Sequence, residues 1–202
     1  MKPILCILAG GRSSRFGSQK MWLRVDGKPI ASALAQRLGA VCGQRWLSVA
    51  PGKELPPGAG RFDRIIADHV GFRGPLPAMA KVLGAAPRGA MVVIAAGDMP
   101  RVDPLHVRKM LELLRRRRDL VGVMSRWTSG SDVGLIEPMP SVWRAERGAR
   151  LIQSAMMRGV KGPQQLAKWK RVMCVAMAGE SARHGFGNVN RREDAEGMGI
   201  FQ

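Results

Sequence analysis

Residues 3–20, PILCILAGGRSSRFGSQK, decide the fold. The apolar run Ile4-Leu5-Cys6-Ile7-Leu8 reads as a buried strand, and it stops abruptly at Ala9-Gly10-Gly11. Lacking Cβ atoms, the paired glycines let the backbone turn sharply and approach a ligand closely. Free N–H groups in such a turn form a concavity suited to anions. Arg12, Arg15 and Lys20 follow, spaced by small polar residues and Gly17. Cations a few residues beyond the turn are placed to meet a polyphosphate. The stretch reads as a strand ending in a phosphate-holding loop. It is not a P-loop, because Lys20 is followed by Met21, and not a dinucleotide fingerprint, because its glycines are adjacent. On local chemistry alone, a plain Gly-Gly turn with solvated arginines remains the alternative.

Outward from this stretch, 202 residues suffice for one α/β domain with a substantial core. Hydrophobic content of 46% and charged content of 24% are those of a globular protein. No apolar run approaches the roughly 20 residues of a membrane span. Met1-Lys2-Pro3 enters the first strand without the charged region and cleavage site of a signal peptide. Cys6, Cys42 and Cys174 sit far apart in apolar surroundings, as small buried hydrophobes rather than a metal cluster or disulfide framework. The expectation is a cytoplasmic, reduced protein with no membrane partner.

Lys and Arg number 33 against 15 Asp and Glu, a formal net charge of +18. Such a chain attracts polyanions. Specific nucleic-acid binding is disfavoured: aromatics make up 5% and do not interleave with basic residues for stacking. No zinc-finger or basic-zipper pattern appears either. The run at residues 115–118 falls at a helix end, where cations suit the negative end of the dipole.

Short β-like runs alternate with helical ones, which predicts a mostly parallel sheet with crossover helices. Strands are expected at residues 45–50, 64–67, 91–96, 120–124, 133–136 and 172–176, and helices at 30–41, 77–86 and 105–114. Residues 125–132 read as polar connection. Residues 141–158 read as one or two helices broken at Gly148, and Gly162-Pro163 starts another short helix. Asp68 and Asp98 each follow a strand, where ligands gather in α/β sheets. A carboxylate there suits Mg²⁺, although an isolated Asp serves equally as a turn residue or helix cap.

Leu8-Ala9-Gly10-Gly11-x-x-x-Arg15-Phe16-Gly17-x-x-Lys20, followed by Asp26-Gly27-Lys28-Pro29-Ile30, resembles the nucleotide-binding signature of molybdenum cofactor guanylyltransferases and their small nucleotidyltransferase relatives. Gly74-Pro75-Leu76 resembles the family's G-P-L-A-G element, with Pro77-Ala78 in place of Ala-Gly. Asn188-Val189-Asn190-Arg191-Arg192 resembles its closing N-x-N-T-P motif, with two arginines for Thr-Pro. Ser131-Asp132 stands where relatives often carry His-Pro, and Val49-Ala50 ends the second strand where guanylyltransferases tend to place an Asn.

The resemblance implies a three-layer, mostly parallel, doubly wound sheet of the Rossmann-like nucleotidyltransferase kind. It implies a single domain over residues 1–202, with a nucleotide-binding half (1–100) and an acceptor-binding half (101–202). Implied partners are GTP, a molybdopterin-type acceptor and an acidic molybdoenzyme or chaperone, the chain acting as a monomer. The backbone of Leu8, Ala9, Gly10 and Gly11 would hold the nucleotide, with Asp68 as a further contact. Arg15 and Lys20 would meet the triphosphate, and Asp98 the Mg²⁺. Asn188 and Asn190 would face the acceptor; a turn and helix cap would account for them equally. Gly11 favours guanosine, since cytidylyltransferase relatives resemble L-A-A-G at this turn.

Overall fold

β1 (Ile4–Leu8) is buried on both faces along nearly its whole length, which is why it reads as an unbroken apolar run. A computed structural model describes residues 1–10, 20–68, 74–129, 133–177 and 200–201 of the chain. β1 pairs in parallel with β4 (Gln44–Val49) on one side and β6 (Met91–Ala96) on the other. β5 (Arg64–Ala67) lies outside β4, again parallel. Beyond β6 come β8 (Ile136–Arg144), β7 (Gly122–Trp127) and β9 (Val172–Met177), giving the order β5-β4-β1-β6-β8-β7-β9. Only β8 opposes its neighbours. A small antiparallel sheet joins β2 (Arg24–Val25), β3 (Lys28–Pro29) and β10 (Ile200–Phe201). Its tight turn holds Asp26 and Gly27 at φ of 49° and 71°.

Among the described residues four helices flank the large sheet: α1 (Ile30–Leu38), α2 (Pro75–Ala85), α3 (Pro104–Arg116) and α4 (Ala145–Met157). α1 buries Ile30, Leu34 and Leu38, the helical spacing read from sequence. α3 opens with Pro104, and the Asp103 carboxylate accepts from the Leu105 N–H at 2.9 Å. The chain steps from β1 to β4 in one direction and from β5 to β6 in the other. Right-handed crossovers therefore put α1 and α2 on opposite faces. One hydrophobic cluster runs from Ile4 to Met177, and a satellite of Leu23, Val25 and Ile30 lies under the small sheet. The expected mostly parallel α/β architecture is present.

Three expectations are corrected. β7 continues through Ser125 to Trp127, where a polar connection was expected; Ser125 is buried and bonded to the His106 ring at 2.7 Å. No strand covers residues 133–135, whose Val133 and Leu135 are exposed; the strand starts at Ile136 and runs to Arg144. Residues 141–144 are therefore strand, and α4 passes through Gly148 unbroken. The fully buried Trp143 explains both points. Its indole N–H donates to Ser141 Oγ at 2.8 Å. A Cβ on Gly148 would lie 3.3 Å from the Trp143 Cβ and 3.1 Å from Leu83 Cδ1, so the glycine is a packing contact rather than a break. Gly162-Pro163 does open a short helix, a 3-10 turn over Pro163–Lys168. Cys6 and Cys42 are buried and Cys174 half-buried; burial pushes the Cys42 thiol up to about 12. No helix among the described residues is long and apolar enough to cross a membrane.

Candidate active site

Parallel pairing brings the carboxyl ends of four strands to one edge. Leu8 stands opposite Ser48 and Ala96, and Val49 opposite Ala67. The chain leaves β1 toward β4 and β5, then returns to β6 on the far side of β1. A crevice outside the strand ends belongs at such a switch point. Main-chain bonds draw the loops together there: Ala9 N–H to Ser48 O at 2.7 Å, Asp68 N–H to Val49 O at 2.8 Å, and Gly97 N–H to Leu8 O at 3.0 Å.

Gly10 is half-buried, and a Cβ there would overlap the Asp68 carboxylate and come within 3.3 Å of the Ala50 nitrogen. The glycine is thus required because Asp68 leans over the turn. Asp68 is half-buried, and its Oδ1 accepts the hydroxyl of Ser48, a wholly buried residue. Below them the Cys6 thiol is pushed far up, first by burial and then by the Asp68 charge, so it stays neutral.

Asp98 is half-buried one residue past Gly97. A Cβ on Gly97 would lie 2.5 Å from Met21 Cε and 2.8 Å from Met21 Sδ. Met21 belongs to the 3-10 turn Lys20–Trp22. The turn that carries Lys20 therefore packs on the turn that carries Asp98. The Lys20 side chain lies outside what is described, as do Gly11, Arg12, Arg15, Asn188 and Asn190 entirely. Leu8, Ala9, Gly10, Asp68 and Asp98 line one edge. Sequence reading passed over Ser48 and Met21; the only signal for Ser48 was one hydroxyl within the apolar run Trp46-Leu47-Ser48-Val49.

Two carboxylates and a glycine turn stand at the switch point of a mostly parallel α/β sheet, the place where such folds gather ligands. Residues 5–172 match the model of the MobA-like NTP transferase domain, and the chain belongs to that family. The resemblance read from the first loop is thereby borne out. A probable molybdenum cofactor guanylyltransferase of Pyrococcus horikoshii is 26% identical over 201 residues, 96% of this chain and 97% of that protein. One of Mycobacterium avium is 38% identical over 104 residues, 48% of this chain and 50% of that protein. Among solved structures, molybdopterin-guanine dinucleotide biosynthesis protein A of Archaeoglobus fulgidus superposes with a TM-score of 0.73 at 18% identity, covering 96% of each chain. The 4-diphosphocytidyl-2C-methyl-D-erythritol synthase of Anaerococcus prevotii gives 0.72 at 15% identity, covering 98% of this chain and 96% of that one. At such identities these structures speak for the fold alone.

Proposed function

We propose that the chain is a molybdenum cofactor guanylyltransferase. It transfers GMP from GTP to the terminal phosphate of molybdenum-bearing molybdopterin. The observation that carries this reading is the convergence of the Gly10 turn, Asp68, Asp98 and the Lys20 turn at one strand edge. The full-length similarity to the Pyrococcus protein supports the choice of acceptor.

An acceptor phosphate oxygen forms the new bond to the α-phosphorus of GTP. The bond from that phosphorus to its bridging oxygen breaks, and pyrophosphate departs with the electron pair. The attacking oxygen is already anionic, so no general base is needed. The difficulty is bringing anions together and stabilising the departing charge, which fixed cations and dipoles address. Arg15 and Lys20 meet the triphosphate, and the backbone of residues 8–11 lines it. Asp68 meets the nucleoside, accepting either from guanine N1–H and N2–H₂ or from ribose hydroxyls. Asn188 and Asn190 face the acceptor. Residues 1–100 form the nucleotide half of one domain and residues 101–202 the acceptor half; the chain acts as a cytoplasmic monomer.

Among the described residues no group of three or more His, Cys, Asp or Glu could hold a metal. Asp98 does fit Mg²⁺, because one half-buried carboxylate at the crevice suits a hard ion whose remaining ligands are waters and substrate phosphates. Asp98 would hold the ion, and the chemistry it would supply there is neutralisation of phosphate charge. Ala50, in place of the expected Asn, favours a cytidylyl reading as the second choice. The deciding experiment offers GTP, CTP and ATP separately, each with Mg²⁺ and molybdenum-loaded molybdopterin, and follows pyrophosphate. Release that needs both GTP and acceptor is expected. Release with CTP alone means cytidylyl transfer, and none at all means a noncatalytic nucleotide binder. Lys20→Ala lowers GTP turnover by at least about 10²-fold, the effect of removing one transition-state donor.

A further inference from the structure

We infer that Ser48 is a positioning residue: its buried hydroxyl fixes the Asp68 carboxylate over the Gly10 turn and so sets how tightly the site holds its nucleoside. This rests on the reading of Asp68 as a nucleoside contact.

Ser48 is 0% exposed and sits between apolar neighbours on β4. A hydroxyl taken out of water is costly unless it is bonded, so its presence there needs a partner. The partner is Asp68 Oδ1. The carbonyl of the same serine accepts from Ala9 N–H at 2.7 Å. One residue therefore holds both the loop after β1 and the carboxylate after β5. The Asp68 main chain is separately tied to Val49 O at 2.8 Å. With its backbone and Oδ1 both held, the carboxylate directs Oδ2 into the space that Gly10 leaves by lacking a Cβ. Hydrogen bonds from a hydroxyl to a charged acceptor are among the stronger and more directional kinds. Cys6, the titratable group beneath, is a poor substitute for this donor, because it carries only a weak S–H.

Removing the hydroxyl takes away the partner that β4 gives Oδ1, and the carboxylate is freer to turn away from Gly10. The nucleotide then has to order Asp68 as it binds, which weakens ground-state and transition-state binding alike. Such a loss raises KM and leaves kcat.

The test measures kcat and KM for GTP, ITP and 2′-deoxyGTP at saturating acceptor in four proteins: unaltered, Ser48→Ala, Asp68→Ala and the double variant. Melting temperatures confirm that each is folded. Ser48→Ala raises the KM for GTP about tenfold, as expected for one bond to a charged group, with kcat within about twofold. The analogue whose penalty vanishes in Asp68→Ala identifies the group Asp68 reads, and Ser48→Ala shrinks that same penalty. In the Asp68→Ala background the serine substitution adds nothing, because its effect passes through the carboxylate. The inference is overturned if Ser48→Ala costs the same factor in both backgrounds, or lowers kcat for all three nucleotides without moving KM. If Asp68→Ala leaves all three KM values unchanged, it is the nucleoside role of Asp68 that fails.

Discussion

Gly10 and Asp68 are distant in sequence yet share one small volume at the strand mouths. Adding a methyl at Gly10 demands the space that the Asp68 carboxylate occupies. A short side chain at the crevice rim yields more easily than the backbone of β1, so the cost falls on the site rather than on the fold. Gly10→Ala is expected to weaken GTP binding at least about tenfold by titration calorimetry, while the melting temperature moves by a few degrees at most. In an Asp68→Ala background the same methyl is expected to cost much less, since the group it displaces is gone. Gly10, Asp68 and Asp98 were legible in the sequence because each ends a clean apolar run, and strand ends are where α/β sheets bind ligands. Ser48 was not legible. A single hydroxyl in a strand has no periodicity, and its partner stands after a different strand. Only the pairing of β4 with β5, Val49 opposite Ala67, brings the two together.

At the level of elements, β1, β5 and β6 were read residue for residue, because they are short apolar runs closed by Gly or Asp, whereas the two-residue strands β2 and β3 are too short to leave a pattern. The region from β7 to α4 misled for a physical reason. Its strands carry buried polar groups, Ser125 and Ser141, that find partners in neighbouring side chains and so look like connections. The Ser125 partner is His106 on the first turn of α3, its Nε2 at 2.7 Å from the hydroxyl. Burial holds this imidazole below its usual 6.5; Asp103 pulls the other way and Lys109 adds to the depression. The folded state thus prefers the neutral ring, whereas the unfolded chain takes up a proton near 6.5. The contribution is whole above that pH and is lost as pH falls below it, because only the unfolded state gains the proton. Thermal melts from pH 8 to 5 are expected to show a decline that begins near 6.5. His106→Gln, which keeps a hydrogen-bonding group and cannot titrate, should flatten that part of the profile. An unchanged decline would place its origin elsewhere.

Across the whole molecule, a net charge of +18 has to be accommodated by a fold with few acids to match it. Ion pairs do little of this. Those among the described residues lie at the surface: Arg45 with Asp63, Arg117 with Asp119, and Glu146 with Arg88 and Arg150. Many arginines instead donate to main-chain carbonyls where helices and loops end. Arg144 reaches Leu114 O at 2.5 Å and Leu120 O at 3.0 Å, Arg147 reaches Arg118 O at 2.8 Å, and Arg64 reaches Ala85 O at 3.1 Å. The Leu114 and Ala85 carbonyls lie in the last turns of α3 and α2, where the helix supplies no partner of its own and the dipole is negative, and the Arg118 and Leu120 carbonyls lie just beyond α3, so a cation suits them. The arrangement satisfies each arginine locally but leaves the charges to repel one another. Burial and the neighbouring charges of Arg147 and Arg118 both push the Arg144 guanidinium below its usual range. Salt should therefore act on fold and function in opposite senses. Between about 0.05 and 0.5 M NaCl the screening length falls severalfold, so repulsion within the molecule weakens and the melting temperature is expected to rise. Over the same range the attraction of this strongly basic protein for GTP, a polyanion, weakens as well, and the KM for GTP is expected to increase. A melting temperature that falls with salt would mean that ion pairs, rather than capped carbonyls, hold the basic residues in place. A flat KM would mean that contacts at short range, and not the field of the molecule, bring the nucleotide in.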